Sequence, residues 1–321
     1  MKIIKFRNVK AKDIVLALGN FDGVHVGHQK LILEAIKYSR RSKLPCFAMT
    51  FDPHPQKVVS PARGLSLLTT LPERLDLMRR LGVDGVIIKE FSKEISKLPP
   101  EKFIYDFLVK HLKVKKVFIG FDFAFGHKRS GTISILKKLG SKYGFKVNSV
   151  RPVMAHGHIV KSSTIRDMLA RGDFGKAVKL LGHPYTITGK VVKGRGRGRV
   201  LGFPTANLKL ATDKLVPAHG VYFGKSEIRN PKSETNPKSK IPIKEQMRKC
   251  LINIGSRPTF AEERFAVEVH ILRFKGNLRG KVINVDLYKR LRDEIHFSDV
   301  EKLKKQIRKD VLKAMERRSM K

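Results

Sequence analysis

In the first half of the chain, short apolar runs alternate with longer stretches whose apolar residues recur every three or four positions. Ile14–Leu18, Pro45–Phe51, Val83–Phe91, Lys116–Gly120 and Phe145–Pro152 are the runs, and they read as strands buried on both faces. Gln29–Arg41, Pro72–Leu81, Glu101–Leu112 and Ser134–Tyr143 are the stretches between, and they read as helices. Pro72 suits a first helical turn. Phe103, Ile104, Phe107 and Leu108 fall on one face of the third helix. Alternation of this kind predicts an α/β domain, a parallel sheet with helices on both faces. Ligands of such sheets sit beyond the C-terminal ends of the strands.

The period changes near Leu181-Gly182-His183-Pro184. Two short helices precede it, Thr164–Ala170 and Phe174–Leu181. Beyond it, Tyr185–Val192, Val221–Glu227, Lys249–Ile254, Ala266–Phe274 and Val282–Lys289 read as strands, several of them alternating apolar with polar. Glycine-rich turns separate them, which suits a small antiparallel barrel or a sandwich. A last helix is expected after Ser298 as N-cap, with Glu301 completing a capping box. The division therefore falls at 1–182 and 183–321. Residues 228–248 stand apart: polar, broken by proline and nearly self-repeating, they read as a flexible insertion between two strands.

A chain of 321 residues, 41% hydrophobic, can build two domains with real cores. Its two cysteines, Cys46 and Cys250, form neither a disulfide framework nor a CxxC pair, as in a reducing compartment. The first twelve residues are too charged for a signal peptide, and no apolar run reaches membrane-spanning length. A cytoplasmic protein without a membrane association is expected. Charge changes the picture more: 68 Lys+Arg against 28 Asp+Glu gives a formal +40. The lysines are spread over nearly every element, and Trp is absent. That argues for solvated helix faces and non-specific, salt-sensitive polyanion binding rather than a specific nucleic-acid partner.

Candidate chemistry gathers at strand ends. Gly19-Asn20-Phe21-Asp22-Gly23-Val24-His25-Val26-Gly27-His28 joins a strand to a helix through a glycine turn. Glycines let the backbone approach a ligand, and the new helix offers free N–H groups and a positive dipole end. His25 and His28, three apart, would share one face, placed for the oxygens of a triphosphate and the charge that grows at its α-phosphorus. In Thr50-Phe51-Asp52-Pro53-His54-Pro55 the prolines stiffen a loop, and Phe51 offers either a core residue or a pocket wall. Gly120-Phe121-Asp122-Phe123-Ala124-Phe125-Gly126 would place the Asp122 carboxylate among aromatic rings, where it needs a partner. The basic glycine loop that follows could hold phosphates. Ser162-Ser163-Thr164-Ile165-Arg166 opens a helix, its hydroxyls either capping that helix or joining Arg166 on phosphate oxygens, as half of a two-sided clamp with the histidine turn.

In the second half, Lys193 to Arg199 alternates glycine with basic residues, a loop for phosphates or for RNA. It runs into Gly202-Phe203-Pro204-Thr205-Ala206-Asn207, where Thr205 and Asn207 supply neutral oxygens suited to Mg²⁺ carried by a nucleotide. Glu268 lies on the face of its strand opposite Val267 and Val269. There it is either a solvated side chain or, beside a magnesium nucleotide, a general base for an alcohol.

These motifs together resemble the prokaryotic bifunctional riboflavin kinases/FMN adenylyltransferases, also called FAD synthetases. The carriers are GNFDGVHVGH, TFDPHP, GFDFAFG, SSTIR, GFPTAN, GVYFG, NIGSRPTF, VEVHIL and RLRDE, nine motifs in order along essentially the whole chain. The resemblance implies a Rossmann-like nucleotidyltransferase domain, then a six-stranded antiparallel β-barrel with a C-terminal helix. It implies phosphorylation of riboflavin to FMN by ATP, then adenylylation of FMN to FAD with release of pyrophosphate. By resemblance, Glu268 is the catalytic base of the kinase, and Thr205 and Asn207 hold the magnesium nucleotide beside Gly194 and Gly196. His25 and His28 serve the adenylyl step, with Gly19, Phe21, Asp22, Gly23, Asp122, Ser163, Thr164 and Arg166 on ATP. Phe51, His54 and Pro55, and Arg290 and Asp293 in the barrel, fall where the family binds flavin. The polar stretch after GVYFG is longer than the resemblance implies. Rival readings are a chain with one live half, a nucleotidyltransferase for another acceptor, and a nucleic-acid-binding protein.

Overall fold

The computed structural model describes residues 1–155, 157–194, 196–228, 247–256 and 265–316, folded as two compact units, Met1–Ser162 and Ser163–Lys321. Most of the 228–248 insertion and the tail of NIGSRPTF lie outside the described residues.

Six parallel strands carry the first unit: β1 (Lys2–Lys5), β2 (Val15–Leu18), β3 (Cys46–Asp52), β4 (Gly85–Glu90), β5 (Lys116–Gly120) and β6 (Lys146–Val150), in the order β1-β4-β3-β2-β5-β6. A small pairing of β7 (Met154–Ala155) with β8 (His158–Ile159) follows. Strand β1, Lys-Ile-Ile-Lys, was not expected from the pattern. Its short charged sequence pairs only with β4, and lysines are tolerated at a sheet edge. Successive residues of β2 point into different cores. Leu16 and Leu18 meet Met49, Ile104 and Ile119, whereas Val15 and Ala17 meet Ile32, Ala35 and Val86. The sheet is covered on both faces, as the apolar runs require. From β2 the chain moves first to β3 and β4 on one side, later to β5 and β6 on the other. The crevice beyond the end of β2 is thus a topological switch point, where open α/β sheets hold ligands.

Two helices differ from the pattern. The first runs Val26–Ser42, three residues earlier than expected, because His25 caps it. Over 101–112, an α turn at Pro100–Phe103 leads into a π-helix, Ile104–His111. The buried pair Phe107 and Leu112 is five residues apart, and the wider turn brings both to one core, with Leu112 N–H donating to Phe107 O at 3.2 Å.

In the second unit the helices Ser162–Arg171 and Phe174–Leu181 lead into a closed barrel. Its strands are β9 (Tyr185–Val192), β10 (Ala206–Leu210), β11 (Gly220–Ile228), β12 (Arg248–Ser256), β13 (Phe265–Ile271) and β14 (Val282–Arg292), in the order β10-β13-β12-β11-β14-β9. Every pairing is antiparallel, and β9 closes on β10. Five of these strands are the predicted ones; β10 begins in the last two residues of the GFPTAN segment and is too short for its alternation to stand out. Tyr222, Ile252 and Val269 stand opposite one another in register, fully buried within the barrel. Phe223 and Leu251, on the other face, pack with Val311, Ala314 and Met315 of the C-terminal helix, Val300–Glu316. Its start corrects the expected Ser298 capping box: Asp299 Oδ1 accepts from Glu301 N–H at 2.8 Å, and Glu301 pairs with Lys304 instead. Asp310, 2% exposed, ties that helix to Arg292 at 2.8 Å.

Candidate functional site

At the end of β2 the chain makes a strained turn. Phe21 and Val24 have φ of 53° and 39°, and Gly23 82°. For a β-branched residue such as Val24 this is a true outlier, of the kind that collects at functional sites. The turn is held from below. Asp22, 1% exposed, accepts hydrogen bonds from Leu68 N–H at 3.1 Å, Thr69 N–H at 3.0 Å and the Thr69 hydroxyl at 3.1 Å. Thr69 Oγ1 also lies 2.9 Å from Gly23 N, whose N–H donates to it. Buried Arg74 donates to Thr50 Oγ1 at 3.0 Å, and Thr50 Oγ1 donates to Asn20 O at 2.9 Å. Asp22 is therefore a clasp on the 68–69 segment. Thr50, Thr69 and Arg74 were not predicted, because nothing in their spacing marks Thr50 and Thr69 as meeting the turn from 30 and 47 positions away, or Arg74 as backing Thr50.

The histidines lie on this frame. His25 is the N-cap: its Nδ1 accepts from His28 N–H at 3.3 Å, which leaves the proton of the neutral ring on Nε2. The two imidazoles stack, centroids 3.6 Å apart and 15° between planes, with Phe21 edge-on to His28. Burial first, then the neighbouring His25 and Arg74 charges, holds His28 well below the usual imidazole range. It is neutral at pH 7. Its Nδ1 is buried without a hydrogen-bond partner among the described residues. An unpaired buried polar atom costs about 1–3 kcal/mol, which a ligand oxygen would offset.

Around the turn the other motifs take different places. Ser162 Oγ donates to Asp22 O at 2.9 Å, bringing the first residue of SSTIR to it. Ser163, Thr164 and Arg166 follow on the first turns of the Ser162–Arg171 helix. Asp122 is exposed, which corrects the expectation of a carboxylate among aromatic rings; only Phe125 of the three phenylalanines is buried. Phe51 is buried core, 5.6 Å from the Phe91 ring and 6.5 Å from Phe103. His54 Nδ1 accepts from Gln56 N–H at 3.2 Å and caps a short helix opened by Pro55.

On the barrel a second constellation forms. Glu268 pairs in register with Asn207 of β10 on one side and Asn253 of β12 on the other, all three on the outer face. Residues so opposed have Cβ atoms about 4.5–5.5 Å apart. Two glycines of the 194–198 loop pack against Asn207 and the Phe203–Thr205 segment. A methyl at Gly194 would overlap the Asn207 amide, and one at Gly198 would lie 2.5 Å from Phe203 O and 3.0 Å from Thr205 Oγ1. Only glycine backbone comes this close. Asn253 was missed as a site residue, although its alternate position in Asn253-Ile254-Gly255 marks it as outward. Arg290 donates to His219 O at 2.5 Å and pairs with Asp293 at 2.5 Å. Its Nε is buried and unpartnered among the described residues.

The sequence model of the FAD synthetase family matches residues 7–164, and that of riboflavin kinase residues 181–317. A protein of Escherichia coli K12 named bifunctional riboflavin kinase/FMN adenylyltransferase is 38% identical over 302 residues, 94% of this chain and 92% of its own. One of the same name from Listeria monocytogenes is 36% identical over 92% of this chain and 90% of its own. A solved structure from Streptococcus pneumoniae, titled a macrolide-efflux protein, superposes with a TM-score of 0.85 at 30% identity, covering 99% of this chain and 100% of that one. Among the described residues no helix is long and apolar enough to cross a membrane. The composition shift divides the chain at 182/183, the compact units at 162/163, and the two family models leave 165–180 to neither.

Proposed function

Since this chain belongs to the bifunctional riboflavin kinases/FMN adenylyltransferases, we propose that its two constellations divide the two reactions of that family. The protein phosphorylates riboflavin to FMN with ATP and adenylylates FMN to FAD with a second ATP. In this reading residues 183–321 carry the first step and 1–182 the second.

In the kinase step Glu268 takes the proton of the ribityl 5′-hydroxyl as that oxygen attacks the γ-phosphorus, and ADP leaves. Thr205 and Asn207 offer the nucleotide neutral oxygens. Mg²⁺ would arrive with ATP, whose phosphate oxygens are hard ligands for it. Such an ion would offset phosphate charge. Gly194 and Gly196 give backbone N–H groups an approach to the phosphates. In the adenylyl step a phosphate oxygen of FMN attacks the α-phosphorus of ATP and pyrophosphate leaves. His25 and neutral His28 donate to the α-phosphate through their N–H groups. Gly19, Phe21 and Gly23 shape the turn, Asp22 holds it, and Ser163, Thr164, Arg166 and Asp122 serve the rest of ATP. His54 and Pro55 face the flavin with Phe51 behind them, and Arg290 and Asp293 serve the flavin of the kinase. A cytoplasmic place of action fits two buried, unpaired cysteines, Cys46 and Cys250.

The observation that carries this reading is the register of Asn207 with Glu268, with Gly194 packed against Asn207. Incubation with riboflavin and Mg-ATP, followed by chromatography, should yield both FMN and FAD. Glu268→Ala should stop FMN formation while supplied FMN still becomes FAD, and His28→Ala should do the reverse. Loss of both activities in either variant would break the two-site assignment.

A further inference from the structure

We propose that His270 is a positioning residue of the kinase half, locking the Phe203–Pro204 segment, and with it Thr205 and Asn207, at a set distance from Glu268. The inference rests on the assignment of Thr205, Asn207 and Glu268 to the kinase site. The backbone ladder between β10 and β13 pairs Asn207 with Glu268 and Ala206 with Val269, and there it ends. The next residue of β13 is His270. Its Nδ1–H donates to Pro204 O at 2.8 Å, and its ring stands edge-on to Phe203 at 5.8 Å. A side chain thus continues the ladder beyond the last backbone pair.

On its other flank the same segment is held by Phe203 N–H donating to Gly198 O at 2.7 Å. Phe203 and Pro204 are therefore bridged on one side to the glycine loop and on the other to the strand that carries Glu268. Thr205 follows directly. Pro204 has no N–H of its own to join a ladder, so its carbonyl is the group left to fasten. His270 shares the outward face of β13 with Glu268, two residues away, and the Nδ1 proton it donates is present in both the protonated ring and the matching neutral tautomer.

Loss of one such hydrogen bond from a surface loop corresponds to roughly a three- to tenfold effect. His270→Ala should raise the KM for ATP in FMN formation by that factor, leave the KM for riboflavin unchanged, and leave FAD formation from supplied FMN at the parent rate. His270→Asn should recover most of the loss, because Asn Nδ2 stands the same number of bonds from Cα as His Nδ1. His270→Gln, one bond longer, should not. A KM for ATP in His270→Ala within twofold of the parent would overturn the proposal, as would equal behaviour of the Asn and Gln variants. A fall in thermal midpoint without the KM change would leave His270 a mere packing residue and also overturn it. Glu268→Gln, assayed alongside, separates the two levels. If it still makes FMN at the parent rate, the site assignment fails whatever His270 does.

Discussion

His28 shows what a single residue gains from its surroundings. Spacing alone put it beside His25, but not the stacking of the rings, the cap that orients one of them, or the burial that keeps the other neutral. Those depend on the helix starting at Val26 and on Arg74 arriving from a distant helix. The lowered proton affinity has a thermodynamic consequence. The unfolded imidazole takes a proton near 6.5, whereas the folded one resists until a lower pH. Between those values the unfolded state binds more protons, so this contribution is intact above about pH 6.5 and is lost as pH falls toward the folded value. Urea midpoints at pH 7.5 and 5.5 should therefore fall further for the parent than for His28→Gln; equal falls would refute the assignment. Asp22 carries the converse lesson. Its place in a phosphate-type motif suggested a ligand contact, while its partners at Leu68 and Thr69, invisible to local spacing, make it the fastener of the turn.

At the scale of elements, periodicity located every strand of the barrel except β10 and every strand of the sheet except β1. Both exceptions are short: β1 has four residues and β10 five, too few for the alternation of Ala206, Leu208 and Leu210 with Asn207 and Lys209 to stand out. The π-helix was legible in its apolar face but not in its pitch, since the spacing of Phe107 and Leu112 matters only once both are buried. The glycine loop reads in the sequence as a loop for phosphates or RNA, and in the structure its Gly194 and Gly198 approach Asn207 and Thr205 closely. Gly194→Ala should drive a methyl into Asn207 and lower FMN formation at least tenfold, with FAD formation from supplied FMN unchanged. Gly196 has φ 74° and open space around its Cβ position. There alanine meets backbone strain alone, of order 1 kcal/mol, and steady-state FMN assays should show the milder loss. Equal losses in the two variants would argue against the fit of loop to Asn207.

For the whole molecule, two units of different fold follow from one change of hydrophobic period, and that change was plain in the sequence. The excess of Lys and Arg, spread over nearly every element, goes well beyond the few basic residues of the two constellations. A formal +40 should give RNA binding that falls steeply with salt and shows no sequence preference, measurable by fluorescence anisotropy of two unrelated oligonucleotides from 50 to 300 mM salt. Binding that discriminates between them at the higher salt would reveal a dedicated interface. The β11–β12 ladder has a separate implication for how such a chain can change. The row holding Glu268 and Asn253 crosses it at Val221, while the connection after Ile228 departs near the Ser226–Arg248 pair, five residues along. At about 3.4 Å per residue that is roughly 17 Å from the chemistry. Closing a longer loop costs little. The ladder thus makes that connection a port for new sequence, open to lengthening or grafting at small risk to turnover. A short epitope spliced between residues 236 and 237 should leave FMN formation within twofold, and a larger loss would show that the graft reaches the site.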